Sequence, residues 1–568
     1  MLDIYSVLKK VVVSGVLLVL ANWLFSLNVV LDGVRDLNKV ALREQANAGP
    51  VRKANETAHY RNFLVPLGFP LTTGLGLSLS YKIRNGNFGD VWCAILEMAR
   101  DSRVSISFAD GGSYTMEQVN GMVKQVMQNG DIFSEEGKSV GINVSPMTLQ
   151  GFVITVACIL KTLEQKAEDS SAVAHVLASI PRKRVQGIDV LVISSWKEYQ
   201  FLQESKSWYR KIVVCHSDPA DGAVDANVCT WNQLINGFQN DPEYKYEPPL
   251  DNSDDLKPFV KLTTVQGNTT AFNQLNLVSS VSAFIKSFPA DHEISARDTF
   301  AAINDSNDLA FNLQMWPKLL AVLLHGGSAN LRDNTSSEYA SVLTENTFLF
   351  AKSETVARMF DKSVDKQGKS MWGKLKLAWV VNLLSEGIFS RSAEIGKPTI
   401  RCIFIANILQ REDRICAYDN LQIPKYSRGQ LNRTFSSLEL NNIRASWGAR
   451  AVVELYCPGL VLGPISQLNY YDYRILLQVV ESKVACLGPV STSLEGKMIM
   501  TEAAPELDIV KRQGMLCIRG FTIGKPVGNE SLSQAANASE ELANGEGWMP
   551  MIGVFGLWGQ DGCLYLFK

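Results

Sequence analysis

From Asn87 onward, short apolar runs alternate with stretches of helical periodicity, and this alternation limits the fold more than any other feature of the chain. Residues 139–144 (SVGINV) are strand-like and precede the helical GFVITVACILKTLEQ. Residues 188–194 (IDVLVIS) lead into WKEYQFLQE, and 211–215 (KIVVC) read as a further strand. The pattern returns at 399–406 (TIRCIFIA) and at 451–456 (AVVELY), the latter preceded by a helix, SLELNNIRASWG, that Gly448 closes. Strands alternating with helices build parallel sheets covered by helices, an α/β class. Leu277, Val278, Val281, Phe284, Ile285 and Phe288 share one helical face, which predicts an amphipathic core helix. Beyond Tyr473 the runs RILLQVV, GKMIMTE and GMLCIRG predict a small antiparallel or barrel-like β subdomain. Three polar segments, 241–257, 361–374 and 528–547, read as surface loops. No internal repeat is visible.

A chain of 568 residues exceeds one core, so two or three domains or subdomains are expected. A net charge of −2 argues against a nucleic-acid binder, which needs a basic surface. The ten cysteines are scattered without a CxxC pair and read as free thiols in a reducing compartment, placing the globular part in the cytosol. The five histidines are isolated, and neither HExxH, G-x-S-x-G nor G-x-G-x-x-G occurs. The cluster Tyr470-Tyr471-Asp472-Tyr473-Arg474 reads either as packing on the β subdomain or as a ligand or partner contact.

Between Val11 and Leu31 lie 21 residues without a charge, bounded by Lys9 and Lys10 before and by Asp32 and Arg35 after. As a helix this run spans about 30 Å, which predicts a transmembrane anchor. A cleaved signal peptide would have a shorter apolar core and a small-residue cleavage site. A second apolar stretch, about 63–81, is broken by Pro66, Gly68, Pro70, Gly74 and Gly76. It reads as an interfacial segment, the second arm of a membrane hairpin, or an extended stretch packed on the globular body. The expected organisation is a membrane anchor and juxtamembrane region at 1–86, an α/β core at 87–470 and a β-rich part at 471–568.

Between Lys261 and Lys286, in KLTTVQGNTTAFNQLNLVSSVSAF and the residue after it, no basic residue follows Lys261. The second half of this stretch resembles the helix that follows the ATP-binding loop in long-chain acyl-CoA synthetases of the adenylate-forming (AMP-binding) superfamily. Further segments resemble that family in the right order. Tyr114-Thr115-Met116-Glu117 is similar to its Tyr-Thr-Tyr-x-Glu, and Val140-Gly141-Ile142 to its Val-Gly-Ile strand. Gly514-Met515-Leu516-Cys517-Ile518-Arg519-Gly520 is similar to its Gly-x-Leu-x-Val-Arg-Gly, and Gly547-Trp548 to its Gly-Trp. The resemblance covers roughly 87–568 and implies the large N-terminal domain of these enzymes: stacked mixed sheets with helices, plus a small β subdomain.

Where the family's chemistry resides, this sequence departs. Of the Gly/Ser/Thr-rich loop only Thr263, Thr264, Gly267, Thr269 and Thr270 remain, without the lysine that grips phosphate. The glutamate that holds Mg²⁺ in Tyr-Gly-x-Thr-Glu is replaced by Leu460, and the ribose-binding aspartate after Gly-Trp by Gly553. The last residues, LYLFK, resemble the strand before the family's hinge, which implies that the C-terminal domain is lacking. The resemblance therefore implies a membrane-anchored pseudoenzyme with no cofactor and no catalytic or metal residue. Its expected role is scaffold, regulator or acyl-lipid binder in lipid metabolism, and the alternative is a divergent fatty acid–CoA ligase. Expected partners are membrane lipid, an acyl chain or acyl-CoA, and a protein such as an active synthetase. The expected location is the endoplasmic reticulum membrane or a lipid droplet.

Overall fold

The computed structural model describes residues 4–568, apart from 34, 38–39, 80–81, 102–103, 134–138, 166–172, 217–225, 336–338, 368–370, 395, 397, 411, 420, 422 and 424–428. Three large sheets make up the body. The first runs, edge to edge, through Val228–Thr230, Lys211–Val214, Ile188–Ile193, Ser139–Asn143, Ala174–Leu177, Pro258–Thr263, Thr269–Asn273 and Lys525–Pro526. Its first six strands are parallel, and the last two join antiparallel. The second sheet orders Ser466–Gln467, Arg450–Tyr456, Cys402–Ile408, Phe348–Lys352, Thr299–Asn304, Ser328–Asp333, Ser105–Ser107 and Ser113–Thr115, with six parallel strands between antiparallel edges. Arg450–Tyr456 and Ile188–Ile193 are buried at every position, as strands covered on both faces must be.

Between the two sheets lie three helices, Leu149–Glu164, Gln274–Lys286 and Trp316–Leu324. Phe152 stacks on Trp316 with ring centroids 4.8 Å apart, and Phe88 meets the edge of Trp316 at 6.1 Å. A helix in such a layer has no solvent face. Gln274–Lys286 follows this rule: beyond its apolar stripe, Ser279, Ser280 and Ser282 are also buried. Its polar side is satisfied by backbone: Ser279 donates to the Thr73 carbonyl and Ser493 to the Ser279 carbonyl.

The third sheet is wholly antiparallel and has seven strands: Ala46–Ala48, Tyr60–Asn62, Leu494–Ile499, Gln513–Gly520, Met549–Trp558, Leu564–Phe567 and Val484–Cys486. It draws two strands from the segment before Asn87. Residues 63–79 take the extended course among their three readings. Val65, Leu71 and Thr72 are buried against the body, the Thr72 amide donates to the Thr492 carbonyl, and Leu77–Leu79 pairs with Lys82–Arg84.

Several expectations are corrected. The transmembrane helix is overturned. Ile4–Gly33 forms one helix of 30 residues, but among the described residues no helix is long and apolar enough to cross a membrane. Lys9 and Lys10 lie inside this helix rather than before it. The side chain of Leu31 lies outside the described residues. RILLQVV is not a strand; it runs extended into the short helix Gln478–Glu481, with Leu477 and Val479 exposed. The polar 528–547 forms the helix Asn529–Ala543, because Ala535 and Ala538 present a narrow apolar edge to Tyr418 and Ile552. The polar 361–374 enters two helices, Ser353–Gln367 and Met371–Ser385.

Asn276 ties the middle layer to the third sheet. Its carboxamide oxygen accepts from the Asn273 amide at 2.8 Å, and its nitrogen donates to the carbonyls of Phe521 (2.7 Å) and Ile523 (3.2 Å). Asn276→Ala loses half of a capping box and leaves two carbonyls without a donor. It should destabilise the fold by about 2 kcal/mol, read as a lower midpoint in chemical denaturation.

Candidate functional site

The stretch that the sequence reads as a degenerate loop is a hairpin turn joining Pro258–Thr263 to Thr269–Asn273. The Thr264 amide donates to the Asn268 carbonyl at 2.9 Å, and the Gly267 amide to the Thr264 carbonyl at 3.0 Å. Gly267 has φ +96°, a conformation that glycine reaches without strain. The threonine hydroxyls turn inward. Thr263 Oγ1 lies 2.8 Å from Thr269 Oγ1 and 2.6 Å from His175 Nε2, while Thr270 donates to the Gly459 carbonyl at 2.7 Å. Thr264 Oγ1 is buried without a partner. A phosphate-binding loop presents its donors outward to an anion; here Thr263 and Thr269 are engaged with each other and with His175, and Thr270 with Gly459.

The bond from Thr270 to Gly459 brings the loop beside Leu460. Leu460 is 1% exposed and belongs to the core cluster that also holds Leu494 and Met551. Its carbonyl accepts from the Gly524 amide at 2.8 Å. A hard cation needs oxygen ligands, and this apolar side chain offers none. Gly553 lies in Met549–Trp558, a strand of the third sheet. There Cys517 faces Pro550 while Met515 faces Phe555, so the strand bulges around Gly553 at φ +81°. Glycine at this position meets a backbone requirement, and no acceptor projects from it. The structure thus joins Thr263, Thr264, Gly267, Thr269, Thr270 and Leu460 in one region and leaves Gly553 in the third sheet.

Behind this region lies a charged group that the sequence reading did not single out. Lys318 Nζ contacts Glu454 Oε1 at 2.9 Å and donates to Tyr456 Oη at 2.9 Å; Tyr456 donates to Glu454 Oε2 at 2.8 Å. Lys318 is 1% exposed and Glu454 0%. The ammonium faces the rings of Phe284 (4.7 Å), Phe404 (5.1 Å) and Phe350 (5.2 Å). Burial lowers the pKa of Lys318 and raises that of Glu454, and the attraction between the two opposes both shifts. The triad joins the middle helices to the second sheet. Its sequence signal was one charge inside each of two apolar runs, WPKLLAVLL and AVVELY.

His175 gives the loop a pH dependence. Burial, with Lys261 nearby, pushes its imidazole down to about 4 from the ordinary 6.5. The folded state keeps it neutral while the unfolded chain takes up a proton between those values. Stability from this group is therefore complete above pH 6.5 and falls as pH drops toward 4, by at most about 3 kcal/mol. Urea midpoints measured from pH 7.5 to 4.5 should fall with acid, and more gently for His175→Gln.

No family model matches the chain. Among solved structures, a luciferase-like enzyme from the mealworm Zophobas morio aligns at TM-score 0.55 and 12% identity, over 88% of this chain and 98% of that one. ATP-bound MatB from Rhodopseudomonas palustris aligns at 0.53 and 10%, over 85% of this chain and 78% of that one. The N-terminal domain of FACL13 from Mycobacterium tuberculosis aligns at 0.51 and 11%, over 85% of this chain and all of that one. The fold is that of the adenylate-forming superfamily. An uncharacterised protein of Saccharomyces cerevisiae, YHR045W, is 44% identical over 571 aligned positions, 99% of this chain and 100% of the yeast protein. The chain belongs to the family of YHR045W, and this family carries the adenylate-forming fold.

Proposed function

We propose that this chain is a non-catalytic relative of long-chain acyl-CoA synthetases, acting as a scaffold or regulator in lipid metabolism. The observation that carries this reading is the inward direction of the loop hydroxyls. Thr263, Thr269 and Thr270 bond to each other, to His175 and to a carbonyl, in a loop without lysine. Transfer of AMP to a carboxylate requires donors and a cation aimed at charge developing on phosphate. Leu460 and Gly553 support the same reading, since neither offers an oxygen to Mg²⁺ or ribose. In this reading the partners are a protein, such as an active synthetase, and lipid. Calorimetric titration of the full chain with Mg-ATP should give no heat up to millimolar nucleotide, and no acyl-CoA should form from fatty acid, ATP and CoA. Saturable nucleotide binding with product formation would sink the proposal.

The reading includes contact with a lipid surface, at the endoplasmic reticulum or a lipid droplet. Helix Ile4–Gly33 leaves Val11, Leu17, Leu18, Val19 and Trp23 exposed, next to Lys9 and Lys10. Exposed apolar side chains in a contiguous run suit contact with lipid. The full chain should float with phosphatidylcholine vesicles in a density gradient, and a Leu18→Asp/Trp23→Asp variant should stay at the bottom. Equal flotation of the two would count against this contact.

A further inference from the structure

Helix Met371–Ser385 is apolar on two opposite sides, and only one of them packs on the body. At about 100° per residue, Val380, Leu384, Leu377 and Val381 fall within an arc of about 100°. Val380, Val381 and Leu384 are buried there, with Leu377 partly so, in a cluster with Tyr473 and with Ala445 of helix Ser437–Trp447. Met371, Leu375, Trp379 and Trp372 fall within a second arc of about 100° on the other side. These four are between 55% and 76% exposed. Lys376 separates the two arcs on one flank and Lys374 on the other, and both are exposed.

Single exposed apolar residues are ordinary, but four on one helix face, two of them tryptophan, mark a contact surface. Its size and charge say what it meets. Two tryptophans of roughly 150–250 Å² apiece, only partly exposed, with one methionine and one leucine, fall short of the roughly 800 Å² per partner of a stable protein interface. A bilayer sets no such minimum, and tryptophan concentrates at its boundary with water. Basic charge surrounds the face. From 361 to 376 the sequence carries five lysines (Lys362, Lys366, Lys369, Lys374 and Lys376) against Asp361 and Asp365. A lysine-rich segment on an amphipathic helix suits anionic headgroups, and tryptophan with leucine beside it suits the layer just beneath them. The helix also ends next to the chain that leaves Ile4–Gly33. The Asp36 amide donates to the Gly387 carbonyl at 3.0 Å, and Arg35 Nε to the Glu386 carbonyl at 3.0 Å.

We propose that helix Met371–Ser385 docks on an anionic bilayer surface. Met371, Trp372, Leu375 and Trp379 enter between the headgroups, while Lys374 and Lys376 face the acidic lipid. This contact goes beyond the one described for Ile4–Gly33, because it requires acidic headgroups and uses different residues. It stands whether or not Ile4–Gly33 touches lipid.

The full chain carrying Leu18→Asp/Trp23→Asp takes the first helix out of the measurement. In a density gradient this chain should float with vesicles of equal parts phosphatidylcholine and phosphatidylserine, and stay at the bottom with phosphatidylcholine alone. Adding Trp372→Ser/Trp379→Ser should abolish flotation. Adding Lys374→Gln/Lys376→Gln instead should weaken vesicle affinity about tenfold. Both additions should leave the thermal midpoint near that of the parent, because the altered side chains lie in solvent. Absence of flotation with the acidic vesicles overturns the proposal, as does flotation that ignores phosphatidylserine or survives the tryptophan changes. A dimer in sedimentation that the tryptophan changes dissociate also overturns it, by giving the face to a second copy of the chain.

Discussion

The fold depends on a layer of helices buried along most of its length. Leu149–Glu164, Gln274–Lys286 and Trp316–Leu324 lie between two eight-stranded sheets, and the stacked pair Phe152 and Trp316 lies at the centre of that layer. In such a layer a polar group without a partner is costly. The serines of Gln274–Lys286, the carboxamide of Asn276 and the Lys318–Glu454–Tyr456 triad are the responses to that constraint. Replacing one member of such a triad would leave a charge without its counterpart in a dry interior, where an unpaired charge is costly.

The same packing explains how the region at the loop departs from the pattern it resembles. A donor that bonds to its own chain is not available to a ligand. At the hairpin turn the hydroxyls of Thr263 and Thr269 share a short chain of hydrogen bonds with His175. At Leu460 an apolar side chain closes the contact between the second and third sheets, as part of one core cluster with Leu494 and Met551. At Gly553 a bulge fixes the residue type through backbone geometry. Three different physical devices, one polar, one apolar and one conformational, thus act on positions far apart in sequence.

Much of the sheet architecture was legible because strands covered on both faces must be continuously apolar. SVGINV, IDVLVIS, KIVVC, TIRCIFIA and AVVELY each became a strand close to its expected bounds. Gly448, at φ +55°, ends its helix as its type and position foretold. Short segments with mixed signals were less legible. The alanines of Asn529–Ala543 form a narrow apolar edge too faint to stand out from a polar composition, and RILLQVV reads as a strand until its apolar side chains are left in solvent. The lysine of Trp316–Leu324 and the glutamate of Arg450–Tyr456 were visible as isolated charges, but their pairing spans more than a hundred residues.

The sequence by itself determined the α/β class and the amphipathic helix after the loop. Local periodicity and side-chain chemistry suffice for these, since each is a property of a short window. Only the tertiary structure decided where the loop hydroxyls point, which charges meet in the core, and which side of helix Met371–Ser385 stays exposed. Those facts depend on contacts between distant stretches, and burial, which sets the worth of each polar atom, exists only once the sheets have closed over the helices.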